Sequence, residues 1–270
     1  MNRPIAAGFG GAGGRLALAW ATDHAERAGE RLVLVHVCVP GSPLDQNSSD
    51  PAQAEVERID PPLARAFTIT RARLGRRRTE LKIRSGKPED CLTRVSADVA
   101  TLVIGDGEGD RTVRRVVRHT RCPVVVVRPS TAAAEAPFAG HVVVGLDASM
   151  PNHAVLDFAF RYTAEHHLPL VAVHVCGTGN RAAAGWPAGE LAPWARKYPT
   201  VPLRSVVLPG SVADRLISCS AGAHLLVVGD KRRGVIGRAR TGDVPLTVAT
   251  ETPCPVAVVP LGLPDGRGAR

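Results

Sequence analysis

Two stretches of the chain combine glycine with charge in a way that suits a bound phosphate. One is GDKRRGVIGRARTGDV, residues 229–244, which is long, basic and followed by a helical pattern starting near Val244. The free amides of such a loop, together with the N-terminus of the helix that follows, form an anion site. The other is GFGGAG, residues 8–13, which matches G-x-G-x-x-G after an apolar run and ahead of a helical one. In a dinucleotide site that fingerprint is completed by an acid at the end of the next strand, which holds the ribose. Here the next strand ends VHVCVPG, with no Asp or Glu. These glycines are expected to make a turn rather than to hold NAD(P).

Other reactive side chains carry less. Six cysteines stand singly at 38, 91, 122, 176, 219 and 254, in apolar contexts such as VHVC. They read as small buried hydrophobes in a reducing compartment. His36 and His174 sit inside apolar strands and are expected to be satisfied core or strand-end residues, while His153 and His166-His167 have no Cys or acid at metal-ligand spacing. There is no G-x-S-x-G and no P-loop lysine motif. No nucleophile or general base stands out, so catalysis is expected to be absent, or weak ATP hydrolysis at most. Arg111, Arg114, Arg115, Arg118 and Arg121 crowd one predicted helix with no acid among them, beside Arg76, Arg77 and Arg78. Nucleic acid would use such a stripe through phosphate contacts. No recognition motif accompanies it, and a solvated face or a protein-partner surface is the expectation.

Composition agrees with a folded, non-membrane protein. The 270 residues are 44% apolar and 22% charged, which excludes a disordered chain, and aromatics at 4% leave few stacking platforms for single strands. The net charge of +9 divides evenly, +5 over residues 1–135 and +4 over 136–270. No apolar run approaches the ~20 residues of a membrane helix, and the start MNRPIAAG lacks a signal-peptide pattern. A cytoplasmic location is expected. At about 150 residues per domain, two domains fit the length.

The elements that must position the loops occur twice. LVLVHVC (32–38) returns as LVAVHVC (170–176), TLVIGD (101–106) as LLVVGD (225–230), and RCPVVVVRP (121–129) as PCPVAVVPL (253–261). PIAAGFG (4–10) corresponds more loosely to HVVVGLD (141–147). The first copy has about 14 more residues before Gly86, and the second has 8 more between its fourth strand and the Cys-Pro pair. Continuous Val/Ile/Leu runs suit strands buried on both faces, as in parallel sheets. Val155, Phe158, Ala159 and Tyr162 mark one buried helix face, with Pro151 in its first turn and Ser149 as cap. Val212, Leu216, Cys219 and Ala223 mark another, matched by Leu92, Val95 and Val99. The expected architecture is α/β, with two tandem doubly wound five-stranded parallel-sheet domains. They span residues 1–130 and 140–263, with a small-residue linker at 131–139 and a tail at 264–270. With strand order 3-2-1-4-5, ligands would sit beyond strands one and four, where the order reverses.

Two such copies, each with V-H-V, V-G and C-P-V-x-V-V strands, resemble the universal stress protein family, over nearly the whole chain except the linker and residues 40–78. The resemblance implies an adenine-nucleotide α-hydrolase-like fold, the copies packed as a pseudo-dimer through their fifth strands, and a regulatory role in stress response. Partners would be an adenine nucleotide, another protein or further copies of the chain. Nucleotide-binding members carry G-x2-G-x9-G-[ST] after strand four and an Asp ending strand one, with ATP and magnesium as the ligand. The second copy keeps Asp147, Gly229 and Gly242 at matching positions. Val175 falls where the family's strand-two residue meets adenine, and Val228 and Val244 flank the loop. It departs at Arg232, in place of the second glycine, and at Asp243, in place of Ser/Thr. Arg232 is suited to a phosphate contact. A carboxylate about 4 Å from a phosphate charge is opposed by roughly 4 kcal/mol at an effective dielectric of 20. Asp243 is therefore expected chiefly to cap its helix. The first copy has Gly10 for Asp147, Glu108 for the second glycine and Asp110-Arg111 in the terminal slot, so no ATP site is expected there. The competing reading is an interaction module with degenerate pockets and an arginine-rich partner surface. An enzyme of the wider α-hydrolase-like group is disfavoured by the lack of an SGG-type pyrophosphate loop.

Overall fold

The computed structural model describes residues 3–11, 13–45, 53–107, 111–129, 135–148, 152–176, 186–231 and 243–261. The chain divides into two compact units between Ala132 and Ala133, with the short segment Thr252–Val256 grouping with the first.

In the first unit, strands β1 (Ile5–Phe9), β2 (Leu32–Cys38), β3 (Thr79–Ser85), β4 (Thr101–Gly105) and β5 (Val124–Val127) lie in the order β3-β2-β1-β4-β5. Each adjacent pair is parallel. Helices α1 (Gly14–Arg27), α2 (Gln53–Ile59), α3 (Pro61–Leu74), α4 (Pro88–Val95) and α5 (Arg111–His119) make the crossovers. The second unit repeats the arrangement with β6 (Val142–Leu146), β7 (Leu170–Cys176), β8 (Leu203–Pro209), β9 (Leu225–Asp230) and β10 (Val256–Pro260), in the order β8-β7-β6-β9-β10. Its helices, among the described residues, are α6 (His153–His166), α7 (Trp186–Lys197), α8 (Val212–Cys219) and α9 (Val244–Glu251).

Burial follows from this order. Strands β2, β5, β7 and β10 are apolar and almost wholly buried, as continuous apolar runs in a helix-covered parallel sheet should be. At the sheet edges β3 alternates buried and half-buried residues and β8 is largely exposed. A glycine near the end of the first strand of each copy serves one packing purpose. A Cβ at Gly8 would lie 3.3 Å from Leu92, and one at Gly145 would lie 3.2 Å from Leu216. These are matching leucines on the helix after the third strand.

The structure corrects several expectations. The extra residues of the first copy fold as a second crossover helix, so α2 and α3 stand where one helix was expected. Local chemistry explains the break: Asp60 caps α3 by accepting from the Leu63 amide at 3.0 Å, and Pro61 and Pro62 open its first turn. Helix α6 has Asn152 at its N-cap position, and Ser149 and Pro151 lie outside the described residues. Its predicted stripe of Val155, Phe158, Ala159 and Tyr162 is buried. On α8 Leu216 and Cys219 are buried, whereas Val212 is 42% exposed. Ala223 and Val99 are buried just beyond their helices, and Val95 is half-buried. Phe138, in the stretch read as having little to bury, is itself buried.

Candidate functional site

The chain leaves β6 toward β7 and β8 on one side, while β9 and β10 lie on the other, so the order reverses between β6 and β9. Asp147 follows the last residue of β6, and Lys231 follows the last residue of β9. Adjacent strand ends bring the two together: Lys231 Nζ lies 2.8 Å from Asp147 Oδ2. The carboxylate is about half exposed and the ammonium less so. In the sequence Lys231 is one of several cations of the basic loop 229–244, and its position marks it out from the rest only in the fold.

A buried amide holds the Asp147 backbone. Asn152, 2% exposed, accepts from the Asp147 amide at 3.3 Å and donates to the Asp147 carbonyl at 3.1 Å. Its Nδ2 also donates to Glu190 Oε2 of α7 at 2.9 Å. One side chain thus closes the turn after β6 and ties it to α7. Sequence reasoning missed Asn152 and Glu190. Asn is a residue that folds onto nearby backbone groups, and its place just ahead of a helical stripe was the available signal. Glu190 gave no signal.

His174 closes the strand pair behind Asp147, with its Nδ1 3.1 Å from the carbonyl oxygen of Leu146. The first copy repeats this bond, His36 Nδ1 to the Phe9 carbonyl at 3.1 Å, and adds Asp60 Oδ2 at 3.8 Å from His36 Nε2. Val175 is half-buried next to His174, whereas Val228 is a core residue packed beneath Gly145. Gly229 is half-buried in β9. Asp243 precedes α9, and its carbonyl accepts from the Thr247 amide at 2.8 Å, which puts it at the cap position. Val244 is the half-buried first residue of that helix. Arg232 and Gly242, with Arg233, Arg238 and Arg240, lie outside the described residues.

The matching point of the first copy is built differently. A Cβ on Gly13 would lie 2.7 Å from the Asp106 carbonyl oxygen, and one on Gly105 would overlap the Gly13 carbonyl. The turn after β1 therefore rests main chain against main chain on the end of β4. Gly10, by contrast, has open space around it. Asp106, the acid after β4, pairs with the buried Arg128 at 3.2 Å. Glu108 and Asp110 lie outside the described residues.

The other clusters are mostly engaged in packing. Arg111 and Arg115 reach Glu89 (3.4 Å) and Asp90 (3.5 Å) on α4, so the α5 stripe has acidic neighbours from another helix, and Arg121 falls beyond α5. Arg78 donates to the carbonyls of Ala25 (2.5 Å), in the last turn of α1, and Glu30 (2.8 Å), just past it. His153 meets Trp194 edge-on, and His166 stacks on Tyr162, whose hydroxyl is 3.0 Å from His224 Nε2. Five cysteines are buried and Cys176 is half-buried. Burial pushes the Cys38 and Cys219 thiols up, with nearby Asp45 adding to the effect at Cys38. Among the described residues no three His, Cys, Asp or Glu side chains form a metal-sized group, and no helix is long and apolar enough to cross a membrane.

The model of the universal stress protein family matches residues 1–128 and again 139–260. The chain belongs to the universal stress protein family. This universal stress protein is 29% identical over 188 residues to Universal stress protein Rv2623 of Mycobacterium tuberculosis. That match covers 62% of this chain and 63% of the relative, so the chain aligns with under two thirds of that protein's length. It is 28% identical over 246 residues to Universal stress protein Rv3134c of the same organism, covering 85% of this chain and 89% of the relative. Among solved structures, a universal stress protein from Archaeoglobus fulgidus superposes with a TM-score of 0.71 at 13% identity, over 96% of both chains. A putative universal stress protein from Pseudomonas aeruginosa gives 0.60 at 13%, over 96% of this chain and 93% of that one. At such identities the likeness is one of fold.

Proposed function

We propose that this universal stress protein is a regulatory protein that binds an adenine nucleotide, ATP with magnesium, in its second repeat alone. The supporting observation is the Asp147–Lys231 pair at the reversal of strand order. A carboxylate there accepts hydrogen bonds from ribose hydroxyls, and an ammonium beside it attracts phosphate. The two charges satisfy each other until the ligand separates them. Because both are partly exposed, the pair is worth about 0–1 kcal/mol. A micromolar ligand supplies roughly 8 kcal/mol, so the pair does not bar entry. Asp243 at the head of α9 opposes a bare phosphate, and magnesium on the phosphates relieves that repulsion. In the first repeat Gly10 stands where the second has Asp147, and Asp106 after β4 is paired with Arg128, which supports placing the nucleotide in the second repeat.

The competing reading, an arginine-rich partner surface on α5, is weakened by the pairing of Arg111 and Arg115 with α4. Titration of magnesium-ATP into the full chain tests the proposal, alongside mass analysis of nucleotide that co-purifies. One bound nucleotide per chain supports it; no heat and no shift in Tm overturn it.

A further inference from the structure

The first repeat carries a separate groove between α1 and α3, of about 610 Å³, within the ~300–1,000 Å³ of small-molecule sites. The two helices run side by side in the same direction. Arg73, near the end of α3, reaches Asp23 at 3.1 Å and Glu26 at 2.8 Å, both near the end of α1. That end of the groove is neutralised. At the other end, near Phe9, stand Arg15 and Arg65, both exposed and without an acidic partner among the described residues. The first turn of α1 holds no acid, and Asp60 at the head of α3 is occupied with the Leu63 amide.

Between these ends the walls are apolar: Leu18, Ala19, Ala66 and Ile69, the last 63% exposed. The two wall hydroxyls, Thr22 and Thr70, donate back to the carbonyls of Leu18 (2.7 Å) and Ala66 (2.9 Å) in their own helices. The walls therefore offer no spare donor along the groove. A peptide would bring a row of amide groups needing partners there, and a nucleotide would bring a polar base and sugar. An aliphatic chain needs none. From Arg15 to Thr22 the helix rises about 10 Å at ~1.5 Å per residue, the length of a medium-chain acyl group.

We propose that this groove binds a single-chain anionic amphiphile of the medium-chain fatty-acid class. Its carboxylate lies at Arg15 and Arg65, and its chain runs along Leu18 and Ile69. The site is independent of the nucleotide proposed for the second repeat, and its test involves no nucleotide. Displacement of a fluorescent fatty-acid probe from the full chain would be measured with hexanoate, octanoate, decanoate and decanol, below their aggregation concentrations. Affinity should rise roughly three- to fourfold per added methylene, and decanol should bind at least about tenfold more weakly than decanoate, as expected from losing a charge-assisted bond. R15Q/R65Q should bring decanoate to the level of decanol, and I69D should weaken both. Equal binding of decanoate and decanol, or decanoate binding unchanged in both variants, overturns the proposal. So does arginine-dependent capture by anionic lipid vesicles without binding of free decanoate, which would make this face a membrane-contact surface instead.

Discussion

Lys231 Nζ sits 2.8 Å from Asp147 Oδ2, joining the ends of two strands that are neighbours in the sheet but 84 positions apart in the chain. The pair has two separable roles, which substitution can distinguish. Lys231→Met should shift stability by less than about 1 kcal/mol, as for other partly exposed pairs. If the ammonium meets phosphate, the same change should weaken magnesium-ATP by about 1.5–3 kcal/mol, or ten- to a hundredfold. Calorimetry and thermal melts on one variant check both. A large loss of Tm with unchanged affinity would make Lys231 purely structural.

Asn152 is the buried support of the same turn. Asn152→Ala should cost about 1–3 kcal/mol, because the Asp147 backbone groups and Glu190 lose their partner. Asn152→Asp should cost more, since it puts a carboxylate where an amide now donates to Glu190 at 2.9 Å. Urea denaturation ranks the two variants.

In the first repeat, two glycines should prove intolerant and one indifferent. Gly13→Ala and Gly105→Ala drive a Cβ into main chain that cannot rotate away, and should each cost about 1–3 kcal/mol or more. Gly10→Ala meets nothing within 4 Å and should be close to neutral. Denaturant midpoints decide this. Equal effects at all three positions would remove the steric reading of GFGGAG.

Burial raises the Cys219 thiol, so the folded state favours the protonated form. The unfolded chain gives up that proton first as pH rises. The stabilisation is thus complete below about pH 8.5, the ordinary thiol value, and is lost as pH climbs through the folded value. Melting temperature measured from pH 7.5 to 10 should fall less steeply in Cys219→Ala than in the parent chain.

The two five-stranded repeats were legible because parallel strands advertise themselves as unbroken apolar runs. LVLVHVC and LVAVHVC, with the other repeated runs, located the strands, whereas the order 3-2-1-4-5 was a premise that the structure bears out. Asp147 was singled out by the family resemblance, as the acid just past the first strand of its copy. Its partner was not, since charge pairing across the strand reversal depends on where two distant chain ends emerge. The acids that face the α5 arginines were hidden for a similar reason: Glu89 and Asp90 belong to another helix. Val212 followed a helical period yet faces solvent, because it lies in the first turn of a short helix that buries its later residues. Phe138 was hidden by its small neighbours, whose lack of bulk says nothing about what the one large side chain finds to pack against.

The contact of Gly13 with the end of β4 ties two turns of the first repeat together through main chain alone. Exchanging the side chains that follow β4 would leave this contact in place, because it is made by main chain on both sides. Glycine at 13 and at 105 is thus a standing condition on the first repeat: other residues of that face can drift in identity, and these two cannot.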